Sequence, residues 1–247
     1  MNAAAAVRVS VCMATYNGQD FVADQISSIL QQLTSEDELI VVDDASTDDT
    51  AKVVREFVDP RILLLPSSAN RGYVASFERA IAASSGEYIM LSDQDDIWLP
   101  GRVELLRQSL RNRCFAASNF TVFGGEANRL QKLQLRERDS GRWVANLFAT
   151  WIGYRPYYGC TMAFRASAKN LVLPFPAFLT ETHDQWIAIV ANLHREMIHV
   201  EAATVSRRLH DQNTTPKSRR PVAVIVRGRV MLLRAFTAAV VRMLGRR

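Results

Sequence analysis

Short apolar runs and amphipathic stretches alternate through the first third of the chain. Residues 7–13 are apolar and β-branched, which predicts a buried strand, and 21–33 carry Phe21, Val22, Ile26, Ile29, Leu30 and Leu33 at helical spacing. A second strand is predicted over 38–42. Ser46, Thr47, Asp48 and Asp49 then supply N-cap chemistry for a helix over 50–57. Pro60 ends that unit, and 62–65 is a third strand. A third helix spans 74–84, with Gly86 placed as its stop, and 88–91 is a fourth strand. Strands separated in this way by single helices predict a parallel sheet with crossover connections. Such sheets bind ligands beyond the carboxyl ends of their strands. The residues predicted there are Ala14-Thr15-Tyr16-Asn17, Asp43-Asp44 and Asp93-Gln94-Asp95-Asp96.

The second half is less regular. The pattern predicts a helix over 99–110, a strand over 114–123, a polar loop over 124–141, a helix over 143–151 and a strand over 159–164. Residues 184–193 read as an apolar helix and 197–207 as a strand returning to the sheet. A basic linker with Pro216 and Pro221 leads to a last helix over 222–244. The expected fold is α/β: a mostly parallel, Rossmann-like sheet flanked by helices, with a basic amphipathic helix at the C-terminus. A chain of 247 residues, 48% apolar, suits one large domain over 1–215 with an appendage over 216–247.

Composition adds three constraints. Cys12, Cys114 and Cys160 are far apart and lack CxxC spacing, so small buried hydrophobes are expected, and neither a zinc site nor a disulfide framework. The N-terminal stretch has no basic leader or cleavage site and reads as a first strand, not a signal peptide. From Ser206 onward there are eleven Lys and Arg against one acid, Asp211, a net +10; with +5 on the whole chain, residues 1–205 carry −5. A mildly acidic body argues against nucleic acid as a partner.

The sharpest chemical feature is the acidic turn after the fourth strand. Carboxylates two apart on a turn can face one divalent ion, and Mg²⁺ or Mn²⁺ favours oxygen ligands shared with phosphate. Asp-rich segments are also common as solvated turns. A second paired-acid turn, Asp43-Asp44, at another strand end favours the binding reading.

These segments fall in an order that is itself informative: VSVCMATYNG (9–18), LIVVDDASTDDT (39–50), NRGYVASFERAI (70–81), GEYIMLSDQDDIWLP (86–100), GCTMAFR (159–165), THDQW (182–186) and RLHDQN (208–213). With them the chain resembles glycosyltransferase family 2, of the GT-A fold, and within it the bacterial rhamnosyltransferase-like branch. The resemblance implies a nucleotide-sugar-binding half over 7–100 and an acceptor half over 101–215. On the matching positions, Thr15 and Tyr16 would line the nucleotide pocket, and Asp44, with Asp43 beside it, would accept hydrogen bonds from the base. Asn70 and Arg71 would approach the nucleotide or diphosphate. Asp93 and Asp95 match the DxD motif, with Asp93 near ribose or metal and Asp95 on the metal. Asp96 would support the loop or touch the donor sugar. Asp184 matches the catalytic base. His183 stands where the wider family often has Glu and is left unassigned. His210 and Asn213 match a loop that closes over the diphosphate, with His210 a further ligand for Mg²⁺ or Mn²⁺.

The implied activity is inverting transfer of a sugar from a nucleoside diphosphate sugar to a hydroxyl of a glycan or lipid-linked acceptor, in bacterial surface-polysaccharide synthesis. The branch points to dTDP-rhamnose as first donor; UDP-linked galactose, glucose or N-acetylglucosamine remain open. Other readings of the same residues stand alongside. Asp184 also suits the N-cap of the helix that follows it. His210 suits the surface or core, Arg71 a solvated helix start, and Trp98, Trp151 and Trp186 core packing or an acceptor platform. No GxGxxG follows the first strand, as a dinucleotide-binding domain would need. No QxxRW motif of processive synthases is present, and Ala14–Gly18 is not the Gly-rich basic loop of a nucleotidyltransferase. A non-catalytic, membrane-associated binding protein is disfavoured because Asp44, Asp95 and Asp184 are all retained. At 100° per residue, Arg220, Arg227, Arg234 and Arg242 share one side of the last helix, with Arg229 opposite. Its arginines oppose membrane spanning. The expectation is a cytoplasmic protein, peripheral on the inner face of the cytoplasmic membrane, with this helix on an anionic surface. Packing of the helix on the domain is the alternative.

Overall fold

The computed structural model describes residues 8–125, 132–210 and 221–245. Asn213 and most of the basic linker lie outside the described residues. The first third follows the predicted alternation: β1 (Val9–Thr15), α1 (Val22–Leu30), β2 (Glu38–Asp43), α2 (Thr50–Glu56), β3 (Ile62–Pro66), α3 (Tyr73–Ala83) and β4 (Tyr88–Ser92). Each strand runs one or two residues further than its apolar run, because the parallel ladder continues through polar positions. Thr15 pairs with Asp43, and Met13 with Ser92. This extension brings the polar strand ends side by side.

Then come β5 (Ile97–Trp98), α4 (Arg102–Ser109), β6 (Phe115–Phe123), α5 (Trp143–Ile152), β7 (Met162–Arg165), α6 (Lys169–Val172), α7 (His183–Leu193), β8 (Met197–Arg208) and α8 (Val222–Leu244). All strands form one sheet in the order β3-β2-β1-β4-β7-β6-β8-β5. β7 runs antiparallel between β4 and β6, β8 is parallel to β6, and β5 is antiparallel to β8. The sheet is therefore mostly parallel. Both faces are covered, which explains why its strands read as continuous apolar runs. Cys12, Ile40, Val42, Ile89 and Leu91 enter one core, while Val11, Met13, Leu39, Val41 and Met90 enter the other.

Several expectations need correction. Residues 159–164 do not form one strand: a tight 3-10 turn, Gly159–Thr161, precedes β7. Gly86 does not end α3 as a left-handed cap. A Cβ there would lie 2.8 Å from the Arg8 carbonyl and from Ser10, so glycine allows the entry to β4 to press against β1. β5 has two residues, too few for any period to show. The polar stretch over 124–141 is not all solvated loop. Leu135 is buried, and the Asn119 side chain pairs with its backbone at 3.0 and 2.7 Å. α8 is present as expected and contacts the domain through some of its arginines, with Arg227 and Arg234 still exposed. Arg242 donates to the carbonyls of Leu171, Val172 and Pro174 and lies over Trp186. Arg229 donates to the Ile152 carbonyl, and Arg234 lies over Phe178.

Candidate active site

The carboxyl ends of β1, β2 and β4 build the first wall. Thr15 and Asp43 are buried, and the Thr15 hydroxyl donates to the Asp43 carboxylate (3.2 Å). That carboxylate also accepts from the Ser46 hydroxyl (2.5 Å) and amide (3.1 Å), so it shapes the turn after β2. Asp44 accepts from the amides of Arg71 (2.9 Å) and Gly72 (2.8 Å) and so fixes the start of α3. Charge-assisted bonds of this kind are strong and well oriented. Asn70 and Arg71 are exposed at this rim, and Tyr16 is 45% exposed. Gln94 ties the wall together: it accepts from the Tyr16 amide (2.8 Å) and donates to the Tyr16 carbonyl (3.1 Å). A Cβ on Gly18 would come within 2.4 Å of the Gln94 side chain, so this clasp requires glycine there.

The acidic turn lies beside this wall. Asp93 and Asp96 group with Cys160, their ligand atoms lying within 4.8 Å of one another. Cys160 is thus part of the acidic cluster and not only a small core hydrophobe. Burial first, then the Asp95 charge, pushes the Asp93 carboxyl up to about 6. Burial, then the charges of Asp93 and Asp95, pushes Asp96 to about 8. One oxygen of Asp96 accepts from the Arg208 amide (3.1 Å), whereas Oδ2 is buried without a hydrogen-bond partner. Asp95 faces outward to His210, whose Nε2 lies 2.8 Å from Oδ2, and the His210 ring stacks on Phe21 at 4.3 Å. Asp95 and His210 are thus brought together, with Asp93 two residues away in the same turn. Hard carboxylate oxygens, with one imidazole at the edge, fit Mn²⁺ and Mg²⁺.

Asp184 enters from the opposite side, on the first turn of α7. It is not the N-cap. That position is held by Thr182 in a left-handed conformation (φ 64°), its amide donating to the Tyr73 hydroxyl (3.1 Å). The Asp184 carboxylate accepts from the amide of Gln185 (2.7 Å) and from that of Gly159. Burial raises its pKa to about 7, helped by the Asp93 charge. His183 points away from solvent, stacked on Phe77 at 4.2 Å and edge-on to Tyr73 at 5.6 Å. Both its ring nitrogens are buried without hydrogen-bond partners, and burial lowers its pKa to about 3. It is a neutral aromatic spacer behind Asp184.

The sequence reading missed two buried arginines. Arg207, 8% exposed, is held between Tyr158 (4.5 Å) and Phe120 (5.2 Å), and its Nε and Nη1 have no hydrogen-bond partner. Burial alone would lower its pKa, but Cys160, Asp96, Asp93 and Tyr158 raise it above the ordinary arginine value. It is a permanent cation facing the carboxylates. Arg102, fully buried over Trp98, donates to the Cys160 carbonyl (2.7 Å) and to Thr204. Burial lowers its pKa to about 10. Arg207 adjoins the RLHDQN segment, which was the only clue to it in the sequence. Trp98 and Trp186 are core residues, whereas Trp151 is 36% exposed.

The sequence profile described as Glycosyl transferase family 2 matches residues 10–171. The Escherichia coli UDP-Glc:alpha-D-GlcNAc-diphosphoundecaprenol beta-1,3-glucosyltransferase WfgD is 34% identical over 121 residues, 48% of this chain and 48% of its own length. The Shigella flexneri dTDP-rhamnosyl transferase RfbG is 31% identical over 133 residues, 49% of this chain and 46% of its own. The chain therefore spans about half the length of the curated relatives it matches. Among solved structures, S. aureus TarS in complex with UDP-GlcNAc superposes with a TM-score of 0.70 at 16% identity, covering 96% of this chain and 73% of that one. The Mycobacterium tuberculosis glucosyl-3-phosphoglycerate synthase in complex with Mn²⁺, UDP and glucosyl-3-phosphoglycerate gives 0.61 at 18% identity, over 95% of this chain and 80% of that one. At such identities the likeness shows the fold alone, which is GT-A. With its profile matched over well more than half of its length, the chain belongs to glycosyl transferase family 2.

Proposed function

We propose that this chain transfers a hexosyl group from a nucleoside diphosphate sugar to a hydroxyl of a glycan or lipid-linked acceptor, with inversion, in bacterial surface-polysaccharide synthesis. The observation that carries the reading is convergence. The Asp93–Asp96 turn after β4 and Asp184 on α7 share one buried cation, Arg207, at the carboxyl end of the sheet.

In this reading Thr15, Tyr16, Asp43, Asp44, Asn70 and Arg71 form the nucleotide wall, and Asp96 braces the turn through the Arg208 amide. Asp95, Asp93 and His210 would hold Mg²⁺ or Mn²⁺, which when bound offsets the negative charge gathering on the departing diphosphate. Asp184 takes the proton of the acceptor hydroxyl as its oxygen bonds to the anomeric carbon. The bond to the diphosphate oxygen breaks with its electron pair. A carboxylate with a pKa of about 7 is a stronger base than an ordinary one, and about half of it is ionised at pH 7. The Gly159 and Gln185 amides hold it in place. Attack opposite the leaving group inverts the anomeric centre.

Two donors have specific support. The Shigella relative's name specifies dTDP-rhamnose, and the E. coli relative's specifies UDP-glucose. We take dTDP-rhamnose first, on the SDQDDIW and THDQW segments. The diphosphoundecaprenol acceptor in the E. coli relative's name supports a lipid-linked acceptor, and with it a peripheral place on the inner face of the cytoplasmic membrane. Thermal melting with dTDP, UDP and GDP, each with and without Mn²⁺, tests the reading. A ligand that binds only the folded state raises the melting temperature as its concentration passes its Kd. One nucleotide should stabilise wild type in a Mn²⁺-dependent manner, and Asp95→Ala should lose that response. A folded protein that responds to none of them refutes the reading.

A further inference from the structure

The large apolar side chains that this fold leaves exposed are not scattered. Fourteen of the seventeen among the described residues lie on α5, the turn after it, or α8. Isolated exposed apolar residues are ordinary, whereas a concentration of them marks an interaction surface. At 100° per residue, Val226, Val230, Leu233, Val241 and Leu244 fall within about 80° of one another, opposite the buried Leu232, Ala235 and Ala239. α8 meets the end of α5 where Arg229 donates to the Ile152 carbonyl (2.8 Å), and there Phe148 and Trp151 lie ring against ring at 6.1 Å. The exposed sides of the two helices therefore adjoin.

Of the arginines expected on one side of the helix, Arg227 and Arg234 stay exposed beside the apolar stripe. Arg242 turns inward onto three backbone carbonyls, and the apolar stripe faces out. Charge decides what covers this stripe. Residues 212–247 contain nine Lys and Arg and no acid. A second copy seated across the stripe would bring two such segments together, and like-charge juxtaposition opposes association. An anionic bilayer is complementary on both counts, apolar beneath its headgroups and negative at its surface. Among the described residues no helix is long and apolar enough to cross a membrane, so the contact lies along the surface.

We propose that the joined apolar face of α5 and α8 is a membrane-docking surface, seated in an anionic bilayer with the flanking basic residues at the phosphate level. The transferase reading contributes only the purpose, delivery of the site to a lipid-linked acceptor.

The test is flotation of the full chain with vesicles of phosphatidylcholine alone and of phosphatidylcholine mixed with phosphatidylglycerol. Wild type is compared with a Val230→Glu, Leu233→Glu, Val241→Glu variant. Wild type should float with the mixed vesicles, and the variant should bind at least about tenfold more weakly. Nucleotide-stabilised melting should be the same in both, which separates this outcome from failure of the site. As a measurement that needs no charge reversal, tryptophan emission should shift blue on the mixed vesicles in wild type and not in Trp151→Phe. Wild type that floats with neither vesicle overturns the proposal. So does a variant that floats as well as wild type, since the attraction would then belong to the basic segment alone. A wild-type dimer that the variant abolishes, without vesicle binding, gives the face to a second copy and also overturns it.

Discussion

Asp184 combines features that normally oppose each other: a raised pKa and two backbone N–H donors. Burial outweighs the donors, so the carboxyl titrates near neutral pH, as the proposed base requires. The acidic limb of kcat/KM is expected near pH 7, with activity falling roughly tenfold per pH unit below it, because only the ionised form accepts a proton. A limb near pH 4 would remove Asp184 from that role. Asp184→Asn should lower transfer about 10²–10⁴-fold with donor binding retained. The same shift predicts a stability effect of known sign. Between the ordinary value of 3.8 and about 7, the folded state keeps a proton that the unfolded chain has released, so Asp184 makes the fold less stable as pH rises through that window. Asp184→Asn should therefore melt higher than wild type at pH 8 and about equally at pH 4. Arg207 holds the Asp184 pKa down by its charge. Arg207→Gln should move the acidic limb above pH 7, while Arg207→Lys should restore most of the difference. An unmoved limb in Arg207→Gln would show that the cation is only structural.

At the scale of elements, the site depends on how closely the turn before β7 approaches the start of α7. A Cβ on Gly159 would lie 2.8 Å from His183 Nε2 and 3.8 Å from Asp184 Cβ. The ring cannot retreat freely, because it is stacked on Phe77. Gly159→Ala should therefore lower kcat while leaving metal-dependent nucleotide stabilisation close to wild type. Equal losses in both would mean that the turn supports the whole site and not Asp184 in particular. This approach was not legible in the sequence. GCTMAFR reads as a strand, and nothing in its pattern shows that its first residues make a tight turn against a helix more than twenty positions later. The acidic turn, by contrast, was legible because its residues are adjacent in the chain and follow an unmistakable apolar strand.

At the scale of the molecule, α8 closes the core over α7. Arg242 links it to the α6 region through the carbonyls of Leu171, Val172 and Pro174. Arg242→Ala should destabilise the chain by about 2 kcal/mol in chemical denaturation, since charge-assisted bonds to carbonyls and the packing over Trp186 are lost together. Nucleotide selectivity should not change. An unaltered denaturation midpoint would mean that α8 is only loosely docked.

The sequence by itself determined the alternation of strands and crossover helices and the polar residues Thr15, Asp44, Asp93 and Asp95 at the strand ends, whereas Asp184 was singled out by the family resemblance. The alternation and the strand-end residues depend on neighbours close in the chain, where apolar period and turn composition act directly. Tertiary structure alone decided what those groups face. It placed Cys160 beside Asp93 and Asp96, set Arg207 among the carboxylates, made His183 a neutral spacer, and turned Arg242 of α8 toward the domain. These are encounters between residues distant in sequence. They follow from sheet order and from burial, which sets both the charge state of a side chain and the direction it must turn to find a partner.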